Sequence, residues 1–184
     1  MRKRSLYEML AGLSGLVLFS VSLLLSQGPS GQPGNSNIGH LYLAEKDPTN
    51  FQVVPGGAWG KLVYRRSGRT FDYVFNGHKL DAGIAYTLLY YPDPWPGSGA
   101  KCLGSGVADA DGNIHIQGTP DTGSLPIPGD LNAAPETTTE PPNTGAKIWL
   151  VLTGDVNCNG AGMITWHPTE YLFEMQLINY AKRP

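Results

Sequence analysis

Leu80-Asp81-Ala82-Gly83-Ile84-Ala85-Tyr86 is the stretch whose reading decides the fold. Upstream of it, residues 70–76 alternate, so Phe71, Tyr73 and Phe75 fall on one face of a strand. Downstream, Thr87-Leu88-Leu89-Tyr90-Tyr91 forms a second strand that starts at Tyr86. Asp81-Ala82-Gly83 is turn chemistry, because glycine enters left-handed backbone without steric cost. The stretch is therefore a corner between two strands.

The same pattern extends in both directions. Strands are expected at 40–46, 58–66, 70–76, 86–91, 101–108, 113–118, 147–154 and 171–180. Ile148-Trp149-Leu150-Val151-Leu152 is a continuous apolar run, expected of a central buried strand. In the last segment Tyr171, Phe173, Met175 and Leu177 alternate better than they fit a helix. The chain has 24 Gly and 15 Pro in 184 residues and only 15% charged residues, which excludes a coiled coil or long-helix protein. With 41% hydrophobic residues it has enough apolar material for one core.

The corner resembles the Leu-x-Pro-Gly-Thr-x-Tyr corner of fibronectin type III and related immunoglobulin-like domains, with Ala82 in the place of Pro. In that corner the Tyr hydroxyl bonds back to the upstream backbone. The resemblance implies an all-β, immunoglobulin-like Greek-key β-sandwich of about eight strands over residues 40–184. Longer phrases, among them Gly57-Ala58-Trp59-Gly60-Lys61-Leu62, Tyr90-Tyr91-Pro92-Asp93-Pro94-Trp95-Pro96-Gly97 and Asp111-Gly112-Asn113-Ile114-His115-Ile116, resemble a group of uncharacterised exported prokaryotic proteins. That likeness implies no established activity.

Residues 1–30 read as a signal peptide or membrane anchor helix. Arg2, Lys3 and Arg4 precede an uncharged apolar or small stretch from Met9 to Leu25. Residues 31–39 form a flexible linker. The expected location is outside the cell, secreted or held at the surface, with membrane contact only through this first segment. Residues 1–30 hold three basic residues and one acidic, which leaves 10 basic against 14 acidic, net −4. Nucleic acid is thus excluded as a partner on charge. Cys102 and Cys158 are an even pair, expected to form a disulfide in an oxidising compartment. A Pro/Thr-rich insertion at 119–145, with six Pro and six Thr, is a binding loop or a loose excursion.

Candidate chemistry is sparse. No Gly-x-Ser-x-Gly and no zinc-ligand spacing of histidines is present. Asp155, Asn157 and Asn159 match the start of a calcium loop, but Trp166 stands where its bidentate Glu belongs. Asp109 and Asp111 form a second oxygen-rich turn that a hairpin explains. No cofactor is expected, calcium being the one weak candidate. The most informative surface is Tyr90, Tyr91, Asp93 and Trp95, an aromatic loop stiffened by three prolines. The expected role is an exported, non-catalytic structural, adhesion or binding module whose partner is a protein or glycan at the cell surface. The alternatives are a carbohydrate- or ligand-binding domain using loop 90–97, a self-assembling surface filament subunit, and an enzyme whose site forms only on folding.

Overall fold

The computed structural model describes residues 36–132 and 145–184. The signal or anchor segment, most of the linker, and residues 133–144 of the insertion lie outside the described residues. Asn35–Pro184 forms one compact unit.

Among the described residues there are twelve strands: β1 (Ile38–Ala44), β2 (Trp59–Arg65), β3 (Ser67–Gly68), β4 (Tyr73–His78), β5 (Ala85–Tyr91), β6 (Lys101–Val107), β7 (Ile114–Gly118), β8 (Lys147–Leu152), β9 (Val156–Asn157), β10 (Gly162–Met163), β11 (Phe173–Glu174) and β12 (Ala181–Lys182). One sheet has the order β11-β1-β2-β4-β7, and the other β6-β5-β8. All their pairings are antiparallel. Two short ladders, β10-β9 and β12-β3, complete the set. The protein is all-β, with multiple antiparallel sheets, as the alternating segments require.

The alternation is the cause of the core. Leu41, Leu43, Leu62, Phe75, Leu88, Ile148 and Leu150 all turn inward and are almost fully buried between the sheets. Each large apolar side chain removed from water contributes roughly 1.5–3 kcal/mol. A second apolar cluster covers the outer face of the three-stranded sheet, where Leu89, Tyr91, Trp149 and Val151 meet Tyr171 and Phe173. Strands β5 and β8 are therefore buried on both faces, which explains their unbroken apolar runs.

The corner is present. Tyr86 is buried, and its hydroxyl accepts a hydrogen bond from the Asp81 amide at 3.4 Å. Gly83 adopts φ +78°, the left-handed conformation that the turn requires. The chain order departs from the immunoglobulin-like one. Here β1, β2 and β4 run consecutively through one sheet, interrupted only by two-residue β3. An immunoglobulin-like domain instead sends its third strand to the opposite sheet. The reason is local: the tight turn around Ser67–Gly68 returns β4 beside β2, with Arg65 N bonded to Asp72 O at 2.9 Å.

Three further expectations need correction. Strand β8 is hydrogen-bonded in the sheet only to β5, and its free edge is covered by isolated bridges Leu150–Leu172 and Ala146–Ile178. The 171–180 segment is not one strand, because it passes from that edge to β1 and then to a bridge with Leu125. The first half of the 119–145 insertion is packed into the domain: Leu125 and Asp130 are buried.

Candidate functional site

Seven aromatic rings from different segments meet at one end of the three-stranded sheet. Tyr91 closes β5 and stacks on Trp149 of β8, centroids 4.0 Å apart and planes 12° apart. Trp149 meets Phe173 edge-on at 5.2 Å, and its indole Nε1 donates to Glu174 Oε2. This buried base supports three exposed rings. Trp166 lies 6.0 Å from Trp149 and 5.4 Å from Tyr171. Trp95 meets Trp166 edge-on at 5.6 Å. Phe51 meets Phe173 edge-on at 5.5 Å, held at φ 55°, a conformation rare for so bulky a residue. Trp95, Trp166 and Phe51 are 53%, 40% and 50% exposed.

Three loops carry this platform, and the two that hold Trp95 and Trp166 are tied together. The disulfide Cys102–Cys158 joins β6 to the loop after β9. Beside it, Gly99 N donates to Gly160 O at 2.9 Å and Met163 N donates to Pro96 O at 2.8 Å. Gly162 must be glycine, since a Cβ there would meet Pro96 O at 2.1 Å. These bonds place Trp95 of one loop against Trp166 of the other.

The sequence-predicted residues divide. Trp95 points outward, as the loop reading expects. Tyr90 and Tyr91 are buried and act as supports. The Tyr90 hydroxyl donates to Asp130 Oδ2 at 2.5 Å and accepts from Ile127 N at 3.1 Å. Burial pushes the Tyr90 phenol far above its ordinary value, with the Asp130 hydrogen bond adding to it. Tyr91 is pushed up to about 12 by burial and by the charges of Asp93 and Asp130. Asp93 forms an ion pair with Lys147 and accepts from Asn132 Nδ2 at 2.8 Å. Asp130 and Asn132, inside the insertion, thus anchor the aromatic loop. Sequence reasoning had no signal for that pairing.

The calcium candidates have other work. Asp155 is buried, with Oδ1 accepting from Thr165 Oγ1 at 2.5 Å and Oδ2 accepting from His167 Nδ1 at 2.8 Å and from the Tyr171 hydroxyl. Burial raises its pKa, and the three donors together outweigh that and hold the carboxyl below its ordinary value. Asn157 Oδ1 accepts from Asn159 N at 2.9 Å, and Asp109 Oδ1 caps the amides of Asp111 and Asn113. Among the described residues no group of three or more His, Cys, Asp or Glu is placed to hold a metal ion.

A separate polar cleft opens beside the corner, lined by Glu45, Lys79, Asp81, Tyr86 and Glu170 among others. There a hydrogen bond to Asp81, followed by burial and the charges of Asp81 and Glu45, raises the Glu170 carboxyl.

The sequence does not place Trp166 and Phe51 beside the platform rings. Their only sequence signal was a large aromatic next to Pro or polar residues, outside any alternating run. No protein-family model, curated protein or solved structure matches the chain.

Proposed function

We propose that this protein is an exported, non-catalytic binding module whose contact surface is the platform of Trp95, Trp166 and Phe51. One observation supports the reading most: three large aromatic side chains stay 40–53% exposed at one place, above a fully packed aromatic base. Burying all of them on the domain itself would stabilise it, so their exposure is most simply explained by a partner. The rigid base lowers the entropy lost when a partner docks. Export rests on the basic and apolar residues 1–30 and on the Cys102–Cys158 pair. We further read the domain as an immunoglobulin-related sandwich. In support, two antiparallel sheets, β11-β1-β2-β4-β7 and β6-β5-β8, enclose one apolar core and the Tyr86 hydroxyl bonds back to Asp81, although β1, β2 and β4 follow one another in one sheet.

The test is retention of the purified protein on a cell-envelope fraction of the source cell. Trp95→Ala and Trp166→Ala are expected to lose retention with cooperative melting preserved. Equal retention of wild type and both variants overturns the reading.

A further inference from the structure

The geometry points to a neutral, hydroxyl-rich saccharide as the ligand of this platform, with His167 as the residue that accepts a hydroxyl hydrogen bond from it. This inference rests on the platform reading above and names its ligand class.

The first argument is orientation. Asp155 Oδ2 is an ionised carboxylate oxygen and only accepts, so His167 Nδ1 carries the proton that joins them at 2.8 Å. In the neutral ring Nε2 is then left as a bare acceptor. It makes no hydrogen bond among the described residues, and the His167 side chain is 56% exposed. The backbone on which the ring hangs is also fixed. His167 N donates to the Tyr171 hydroxyl at 3.0 Å, and that hydroxyl in turn donates to Asp155. A buried carboxylate with three donors is an expensive way to hold a surface histidine, and it leaves one unpaired acceptor on the exposed residue that follows Trp166 in the chain.

The second argument is charge. The carboxylates flanking the platform already have partners within the protein. Asp93 pairs with Lys147, Asp155 accepts from Thr165, the neutral His167 ring and Tyr171, and Glu174 accepts from the Trp149 indole. Of these groups the one lysine, Lys147, is already paired with Asp93, so an anionic peptide would have to break that pair, and a cationic one would have to displace the donors on Asp155. A saccharide needs none, since its C–H face lies on an aromatic ring and its hydroxyl edge donates to a fixed acceptor. Trp95 and Trp166 stand at 83° to one another, so one ring offers a floor and the other a wall for a sugar ring.

The test uses the purified protein with the envelope fraction and four soluble probes: cellohexaose, chitohexaose, xylohexaose and maltohexaose. Retention is expected to survive protease digestion of the envelope and to be competed by at least one hexasaccharide. His167→Ala should weaken that hexasaccharide about three- to tenfold, the worth of one net hydrogen bond, measured below a melting transition that falls because buried Asp155 loses a donor. The 15N shifts of the His167 ring should report a protonated Nδ1 and a bare Nε2. Retention that is abolished by protease and competed by no hexasaccharide overturns the saccharide assignment and leaves the platform reading intact. Trp-independent retention, or none, overturns the platform reading itself. A His167→Ala variant that binds the competing hexasaccharide as tightly as wild type, or a ring protonated only at Nε2, removes His167 from the site.

Discussion

The Trp95 ring meets the Trp166 ring edge-on, centroids 5.6 Å and planes 83° apart, although 71 residues separate them in the chain. Both are partly exposed, whereas Trp149 beneath them is buried. The two kinds of tryptophan should therefore respond differently to truncation. Trp95→Ala loses the edge-on pair and part of a buried surface, about 1–2 kcal/mol. Trp149→Ala opens a cavity under the platform and should cost about 3–5 kcal/mol. Chemical denaturation of the two variants checks the contrast, and equal losses would show that Trp95 is a core residue.

The disulfide closes a separation of 56 residues. In the chain-entropy view its removal costs about 4 kcal/mol. Paired Cys102→Ser and Cys158→Ser should lower the melting temperature accordingly. They should also weaken envelope retention before global unfolding, because the disulfide adjoins the Gly99–Gly160 and Pro96–Met163 bonds that place Trp95. Retention measured below the melting transition tests this, and full retention there would contradict it.

Tyr90 and Tyr86 are both buried tyrosines, but their hydroxyls carry different loads. Tyr90→Phe strips a donor from buried Asp130 and an acceptor from Ile127 N, an expected loss of about 1–3 kcal/mol. Tyr86→Phe removes one long bond from Asp81 N, an expected loss of about 0.5–1.5 kcal/mol. Equilibrium unfolding ranks them, and a larger loss at Tyr86 would contradict the assignment.

Burial raises the Glu174 carboxyl above its ordinary 4.5, against the pull of Lys46, Trp149 and Lys147. A folded value above the unfolded one means stability is lost as pH rises through that window, and the deficit persists above it. Glu174→Gln keeps an oxygen to accept from Trp149 Nε1 without the charge. Its melting temperature should match wild type near pH 4 and exceed it at pH 7. A lower value at pH 7 would show that the ionised carboxylate's attraction to the lysines outweighs its desolvation.

The strands were legible because alternation reports which side of a sheet faces the core: Phe71, Tyr73 and Phe75 are all buried as their spacing requires. The Tyr86 corner and the cysteine pair were legible for equally local reasons. Connectivity was not, since nothing in β4 records that β2 rather than the opposite sheet will receive it. The site was half legible. Trp95 announced itself among prolines, but its partner Trp166 sits in a stretch read as a failed calcium loop. Asp155 looked like a cation ligand because sequence shows the spacing of oxygens and not which way they turn. Folding turned it inward, onto His167 and Tyr171.

The most direct measurement uses the indole N–H signals of the four tryptophans in 1H–15N spectra, recorded with and without solubilised envelope fraction. Trp59 is as exposed as Trp166, at 40%, but lies on β2, where its ring packs on His78. It is the internal control. The account expects the Trp95 and Trp166 signals to shift or broaden while Trp59 stays unchanged. Perturbation of Trp59 with Trp95 and Trp166 unmoved would contradict it.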